Sequence, residues 1–415
     1  MRSMTSPRQQ QDLGAWIIVG FCFLVLAVSF SARSSLSLVM TSMEKELGWS
    51  RNQVSNALSL VQISMAIASP IMGNLVDRFS PRLLLSSGLA IIGAGILLTA
   101  RATETWQLNL AYGVVAGIGF GTAATHVVST IVSHNFTERR GLAVGIATAG
   151  ATGGQLAIIP LLGRLLAYMD WRTIYVIIGI SVMVLAPIVF WLIRPRAADD
   201  AARAARRAAS EPLDERLLLL ARSPTFHLLF WSYFICGITT SGVIEGHLIP
   251  YSEFCGFTVA TSSDAFGILM FFNLWGMVLA GWLTDRMNRP LLLGTIYVVR
   301  GLSFAILMFI PDNYPLLVTF AAMFGVFDYS TVPVTASLAA SHLGLRVMGL
   351  SMGLLTAGHA LGAAVGAKMG GALFDLFASY QWTWIVALIT ALLAGVLCFL
   401  IRENRDRGWL IPVPA

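Results

Sequence analysis

The stretch Gly73-Asn-Leu-Val-Asp-Arg-Phe-Ser-Pro-Arg82 returns 208 residues later as Gly281-Trp-Leu-Thr-Asp-Arg-Met-Asn-Arg-Pro290. The same offset carries Gly141-Leu-Ala-Val-Gly-Ile-Ala-Thr-Ala-Gly150 onto Gly349-Leu-Ser-Met-Gly-Leu-Leu-Thr-Ala-Gly358. Two segments sharing one spacing in a 415-residue chain mean that the molecule is two copies of one half. Apolar residues make up 56% of it and charged residues only 12%, against about 25% charged in a soluble domain. The duplicated unit is therefore a membrane unit.

Apolar windows of roughly 20 residues, enough to cross a bilayer core of about 30 Å, follow one another along the whole chain. The first half holds 14–38, 53–75, 83–100, 106–133, 139–167 and 172–193, and the second holds 226–250, 263–284, 291–310, 314–340, 347–376 and 381–401. Each is expected to be a helix, because backbone exposed to lipid must satisfy its own hydrogen bonds. The predicted fold class is thus an all-α polytopic membrane protein of twelve helices in two six-helix bundles. Of the 27 basic residues, 19 fall in cytoplasmic segments if both termini are cytoplasmic, and four (Lys45, Arg51, Arg101 and Arg172) fall outside. Arg33, Arg164, Arg300 and Lys368 lie within helices. That excess orients the chain, and the net charge of +6 reads as topology rather than as affinity for nucleic acid.

The domains expected are 1–194, a cytoplasmic linker over 195–223, and 224–415. The linker is alanine-rich and charged, helical in part, and serves as a solvated tether or rests on anionic headgroups. The other connections leave no room for a soluble catalytic or signalling module, so an enzyme or receptor is not expected. No Gly-x-x-x-x-Gly-Lys-Ser/Thr loop is present to couple the chain to ATP, which leaves ion gradients as the energy source. Cys22, Cys236, Cys255 and Cys398 have no metal spacing, and no cofactor is expected. The N-terminus lacks a cleavage site, and its first apolar run is too long for a signal-peptide core, so helix 1 should stay in the mature protein. Duplicated membrane halves of this kind are the architecture of secondary transporters, with substrate bound at the seam.

The two Asp-Arg loops, Asp77-Arg78 and Asp285-Arg286, resemble the loop motif of the major facilitator superfamily, which lies between helices 2 and 3 and recurs between helices 8 and 9. Within it, the chain is similar to the monocarboxylate-transporter and oxalate/formate-antiporter group. The residues that carry this are Glu46-Leu-Gly-Trp-Ser-Arg-Asn-Gln-Val-Ser55, Arg139-Arg-Gly-Leu-Ala-Val-Gly145, Gly154-Gln-Leu156 with Pro160, His247-Leu-Ile-Pro-Tyr251 and Phe327-Asp-Tyr-Ser-Thr-Val-Pro333. The resemblance implies carriage of a small organic anion by alternating access, in symport with a proton or in exchange for a counter-anion. It implies a monomer in the cell inner membrane. Asp77, Arg78, Asp285 and Arg286 would act as charged latches at helix ends. One departure stands out. The helix-8 arginine expected four residues before the glycine of the second loop is Met277, and its acidic partner one turn earlier is Asn273.

Charge inside a bilayer costs about 2.5–3.5 kcal/mol or more per group, so embedded ionisable residues face a cavity or a partner. Arg33 is the candidate for holding a substrate carboxylate, since a guanidinium does so through two parallel hydrogen bonds. Alternatively it snorkels to the outer interface, or pairs with Glu245 as an outer gate. Asp328 is a candidate proton carrier or a fixed partner for an embedded base. His359 is a candidate anion contact or proton site, and the resemblance places it near the family's helix-11 lysine. His247, Asn273, Gln155 and Tyr329 complete the expected binding set, with His126 a weaker candidate, and Arg300 is expected to pair within the protein outside the site. The runs Gly141–Gly154 and Gly358–Gly371 should let helices 5 and 11 approach their neighbours. Trp106, Trp171, Trp382 and Trp384 fit an interfacial belt. Trp275, with Phe271, Phe272 and Tyr329, suggests the alternative of a larger amphipathic or aromatic solute such as a vitamin, siderophore or drug.

Overall fold

The computed structural model describes residues 7–76, 81–123, 125, 127–129, 132, 140–192, 213–344 and 347–403. Asp77, Arg78, His126 and most of the 195–223 linker lie outside them. The first half contains α1 (Pro7–Leu47), α2 (Arg51–Val76), α3 (Pro81–Thr99), α4 (Thr105–Ser129), α5 (Arg140–Leu165) and α6 (Trp171–Leu192). The second contains α7 (Pro224–Phe254), α8 (Val259–Thr284), α9 (Arg289–Leu307), α10 (Tyr314–Leu343), α11 (Met348–Phe377) and α12 (Gln381–Phe399). A short helix, Leu213–Ala221, precedes α7. No strand occurs among the described residues.

Eleven of these stretches are long and apolar enough to cross a membrane. α2, with 26 residues, is long enough as well, and polar side chains on it meet protein. The Ser64 hydroxyl donates to the carbonyl of Gly113 at 3.0 Å, and the Asn56 side chain accepts from Lys368 Nζ at 3.3 Å.

The 208-residue offset is visible in the backbone. α2 and α8 start at Arg51 and Val259, and α3 and α9 start at Pro81 and Arg289. The turns before α2 and α8 repeat as well. Gly48 and Gly256 adopt φ of +66° and +96°, a region that glycine enters without a Cβ penalty. Two residues on, each turn caps the following helix. Ser50 accepts from the amide of Gln53 at 3.3 Å while the Gln53 side chain accepts from the Ser50 amide at 2.8 Å, and Thr258 accepts from the amide of Thr261 at 3.1 Å.

Packing follows the same pseudo-symmetry. α1 lies on α5 as α7 lies on α11, and α3 lies on α6 as α9 lies on α12. A Cβ at Gly154 would collide with the backbone of Ala27, and one at Gly362, its repeat partner, with the carbonyl of Phe234. The small-residue runs therefore act as expected, as contact lines. Across the seam, α2 packs on α11 and α5 on α8.

Two tryptophans of the expected belt are corrections. Trp171 and Trp384 are buried, whereas Trp106 and Trp382 are exposed. Trp171 donates its ring N–H to Glu46 at 2.6 Å, and Trp384 stacks on Tyr380 with centroids 5.5 Å apart. Position along a helix places a residue near the interface; only the packing decides which way it faces.

Candidate functional site

Arg33 sits two-thirds of the way along α1, with Tyr112 behind it. The Tyr112 hydroxyl reaches the carbonyl of Arg33 at 2.6 Å and that of Ala32 at 3.0 Å, from a π-helical segment of α4 (Asn109–Ala116). The wider π turn is a frequent feature of functional helices. A second such segment, Ile238–Ile244 of α7, ends immediately before Glu245. Arg33 Nη2 donates to Glu245 Oε2 at 2.8 Å, with the two side chains 11% and 6% exposed. The other carboxylate oxygen, Oε1, accepts from the Tyr329 hydroxyl at 2.5 Å. This ion pair joins the two halves, and Tyr329 of α10 holds its acidic member. Arg33 Nε has no hydrogen-bond partner. Ser34, Gln62 and Ser241 line a cavity of about 20 Å³ beside the pair, room for about one water molecule.

A second polar cluster lies within the C-terminal half. α10 is broken between Phe327 and Thr331. Pro333 has no N–H to give the carbonyl of Tyr329, so the helix cannot run straight through. The freed backbone groups find side chains. The amide of Tyr329 donates to Asn273 Oδ1 at 3.2 Å, and the carbonyl of Asp328 accepts from Arg300 Nη1 at 3.4 Å. Asn273 also donates to Asp328 Oδ2 at 3.3 Å, whereas Asp328 Oδ1 has no partner. Asn273 is fully buried and splints the break, so it is not free to meet substrate. Arg300 is fully buried too, and donates to Thr239 at 2.9 Å and Thr240 at 3.0 Å on α7. It does pair within the protein, but next to the polar centre rather than at the periphery. His359 rests against Tyr233, with centroids 4.9 Å apart.

His247 is placed elsewhere than the cavity. Its ring is fully buried, with Nε2 on the carbonyl of Ala367 at 2.9 Å and Nδ1 on the Tyr380 hydroxyl at 3.2 Å. Tyr380 in turn accepts from Arg51 Nη1 at 3.1 Å, and Arg51 is held by Glu44 at 2.5 Å and 2.7 Å. This chain crosses the seam from α2 to α12 and belongs to the seal. Arg164–Asp264 at 2.9 Å and the amide of Asn52 on Asp375 at 3.1 Å close the same end. Toward the other end the seam opens. A Cβ at Gly145, Gly349 or Gly353 would meet no atom within 4 Å.

Gln155 stays inside the N-terminal half, donating to Ser34 at 2.6 Å. Asp285 is the exposed C-cap of α8, and Arg286 folds back on Trp282. The basic residue that ties this end together is Arg289, bonded to Glu403 and, at 3.2 Å, to Ser337. Trp275 is 63% exposed and Phe271 45%, and their rings meet edge-on with centroids 6.5 Å apart. The sequence reading missed Tyr112, whose only signal was an aromatic hydroxyl inside an apolar run.

Comparison with known proteins adds the following. The model of the Major Facilitator Superfamily matches residues 22–297 and 248–415. The chain is 26% identical to the MFS-type transporter YcxA of Bacillus subtilis, over 95% of both chains. It is 22% identical to monocarboxylate transporter 12 of Mus musculus, over 96% of this chain and 88% of that one. Among solved structures it resembles a bacterial homologue of the lysosomal transporter Spinster, inward-facing and occupied, with TM-score 0.73, 15% identity and 92% and 96% coverage. It also resembles the nucleoside transporter NupG, with TM-score 0.77, 12% identity and 94% and 98% coverage.

Proposed function

Because this chain belongs to the Major Facilitator Superfamily of membrane transporters, we propose that it carries a small organic anion across the cell inner membrane by alternating access, coupled to a proton or to a counter-anion. It is a multi-pass transporter, not an enzyme. Residues 1–194 rock against 224–415 about the seam, with the termini and the linker in the cytoplasm. In that orientation the sealed end is the outer one, and the conformation faces inward. The relatives among monocarboxylate transporters support the substrate class.

One observation carries the reading. Arg33 is a nearly buried guanidinium at the seam, beside a cavity, with Nε unpartnered. A carboxylate is the ligand that a guanidinium in this position recognises, through a fork of two parallel hydrogen bonds. The test is uptake of labelled pyruvate, benzoate and oxalate into proteoliposomes. Uptake should follow an imposed pH gradient or anion loaded on the opposite side. Uptake indifferent to both would remove the coupling.

A further inference from the structure

The Arg33–Glu245 pair raises a problem of charge and of space. At the polar centre, Arg33 and the buried Arg300 stand with two buried carboxylates, Glu245 and Asp328. A substrate anion would add a negative charge that nothing in this interior balances, and unbalanced charge in low dielectric is costly. The cavity beside the pair, about 20 Å³, holds about one water and no carboxylic acid while the pair is intact. A substrate on the Arg33 fork must therefore displace a carboxylate that is already there.

We propose that Glu245 is the proton-coupling residue: it takes a proton from the aqueous vestibule, releases Arg33 as a neutral acid, and the substrate carboxylate replaces it on the guanidinium. This rests on Arg33 being the anion site. The balance closes at one proton per monoanion. The O–H bond forms on Glu245 Oε2, the atom now 2.8 Å from Arg33 Nη2, and no other bond changes. Tyr329, 2.5 Å from Oε1, keeps the acid in place as its partner changes. The polar and titratable groups around Glu245 are Arg33 on α1, Gln62 on α2, Ser241 on α7, and Asp328 and Tyr329 on α10. Of these, Arg33 is the cation that Glu245 bonds. Asp328 bonds Asn273 and lies against Arg300, so its protonation would not vacate Arg33.

The experiment measures binding of pyruvate and benzoate to the full chain in detergent across the neutral pH range. Wild-type affinity should fall about tenfold per pH unit as pH rises, the slope of one proton taken up per anion. Calorimetry in buffers of different ionisation enthalpy should count that one proton. Glu245→Gln should bind with a flat pH dependence, and more tightly than wild type at the alkaline end. Asp328→Asn should keep the one-proton slope whatever its affinity. A slope retained in Glu245→Gln, a flat Asp328→Asn, or no proton taken up by wild type would each overturn the proposal. The wild-type proton count decides even if Glu245→Gln does not fold. Arg33→Gln tests the premise separately: it should bind neither anion at any pH. Binding by Arg33→Gln as in wild type, or failure of both anions to bind wild type, would instead remove the anion site.

Discussion

Arg33 meets its carboxylate through one nitrogen, Nη2, and leaves Nε without a partner. A substrate carboxylate seated on the fork would engage both edges, and each charge-assisted hydrogen bond contributes about 1.5–3 kcal/mol. Arg33→Ala should therefore weaken anion binding by about a hundredfold or more. Arg33→Lys, a point charge on a flexible stem, should retain part of it. Equilibrium binding separates these outcomes from folding, because monodisperse yield should stay close to wild type. The double variant Arg33→Ala/Glu245→Ala tells binding from gating. If the pair were only a gate, removing both charges would restore binding; we expect no restoration. The sequence made Arg33 and Glu245 candidates because charge is conspicuous in an apolar run. It did not show that His247 is locked between Ala367 and Tyr380, since that depends on which way a helix is turned.

Helix positions were legible to within a few residues except in α1, expected over 14–38 and observed over Pro7–Leu47, because hydropathy measures what faces lipid and not where a helix ends. Interruptions were not. The window 314–340 reads as one helix, yet α10 breaks at Asp328, and the break is what assembles the second cluster. Pro333 was the available signal. Arg300 is expected outside the site, and the reason it lies beside the polar centre is found in α7. Thr239 and Thr240 on the π segment present hydroxyls to it, an arrangement that no single-helix pattern reports. Arg300 thus joins α7, α9 and the broken α10 into one unit. Arg300→Gln should destabilise the C-terminal half by about 3 kcal/mol or more, since it strands buried hydroxyls and the carbonyl of Asp328. A fall in melting temperature with little change in the pH slope of anion binding is the expected result. A flattened slope at unchanged melting temperature would move Arg300 from support to coupling.

The molecule as a whole is closed at the end where α2 meets α11 and α5 meets α8, and its contacts there are built from small residues. A Cβ at Gly371 would lie 2.9 Å from the Cα of Asn52 and 2.7 Å from the Cβ of Ser55. Those neighbours are backbone and a short side chain, so nothing flexible can yield. Alternating access requires this contact to separate once per cycle, and a bulkier residue costs nothing once it has. Gly371→Leu should therefore shift the population toward the state open at this end, rather than unfold the chain. The shift has a direct readout at Gln62, which lines the Arg33 cavity and is 7% exposed. In a Gln62→Cys background, a membrane-impermeant maleimide should label the protein from the Trp171 side far faster when Gly371→Leu is also present. The four native cysteines, all buried, give a low background. Equal labelling with and without Gly371→Leu, in protein that remains folded, would mean that α2 and α11 do not part at Gly371, and the rocking of the two halves would have to be placed elsewhere.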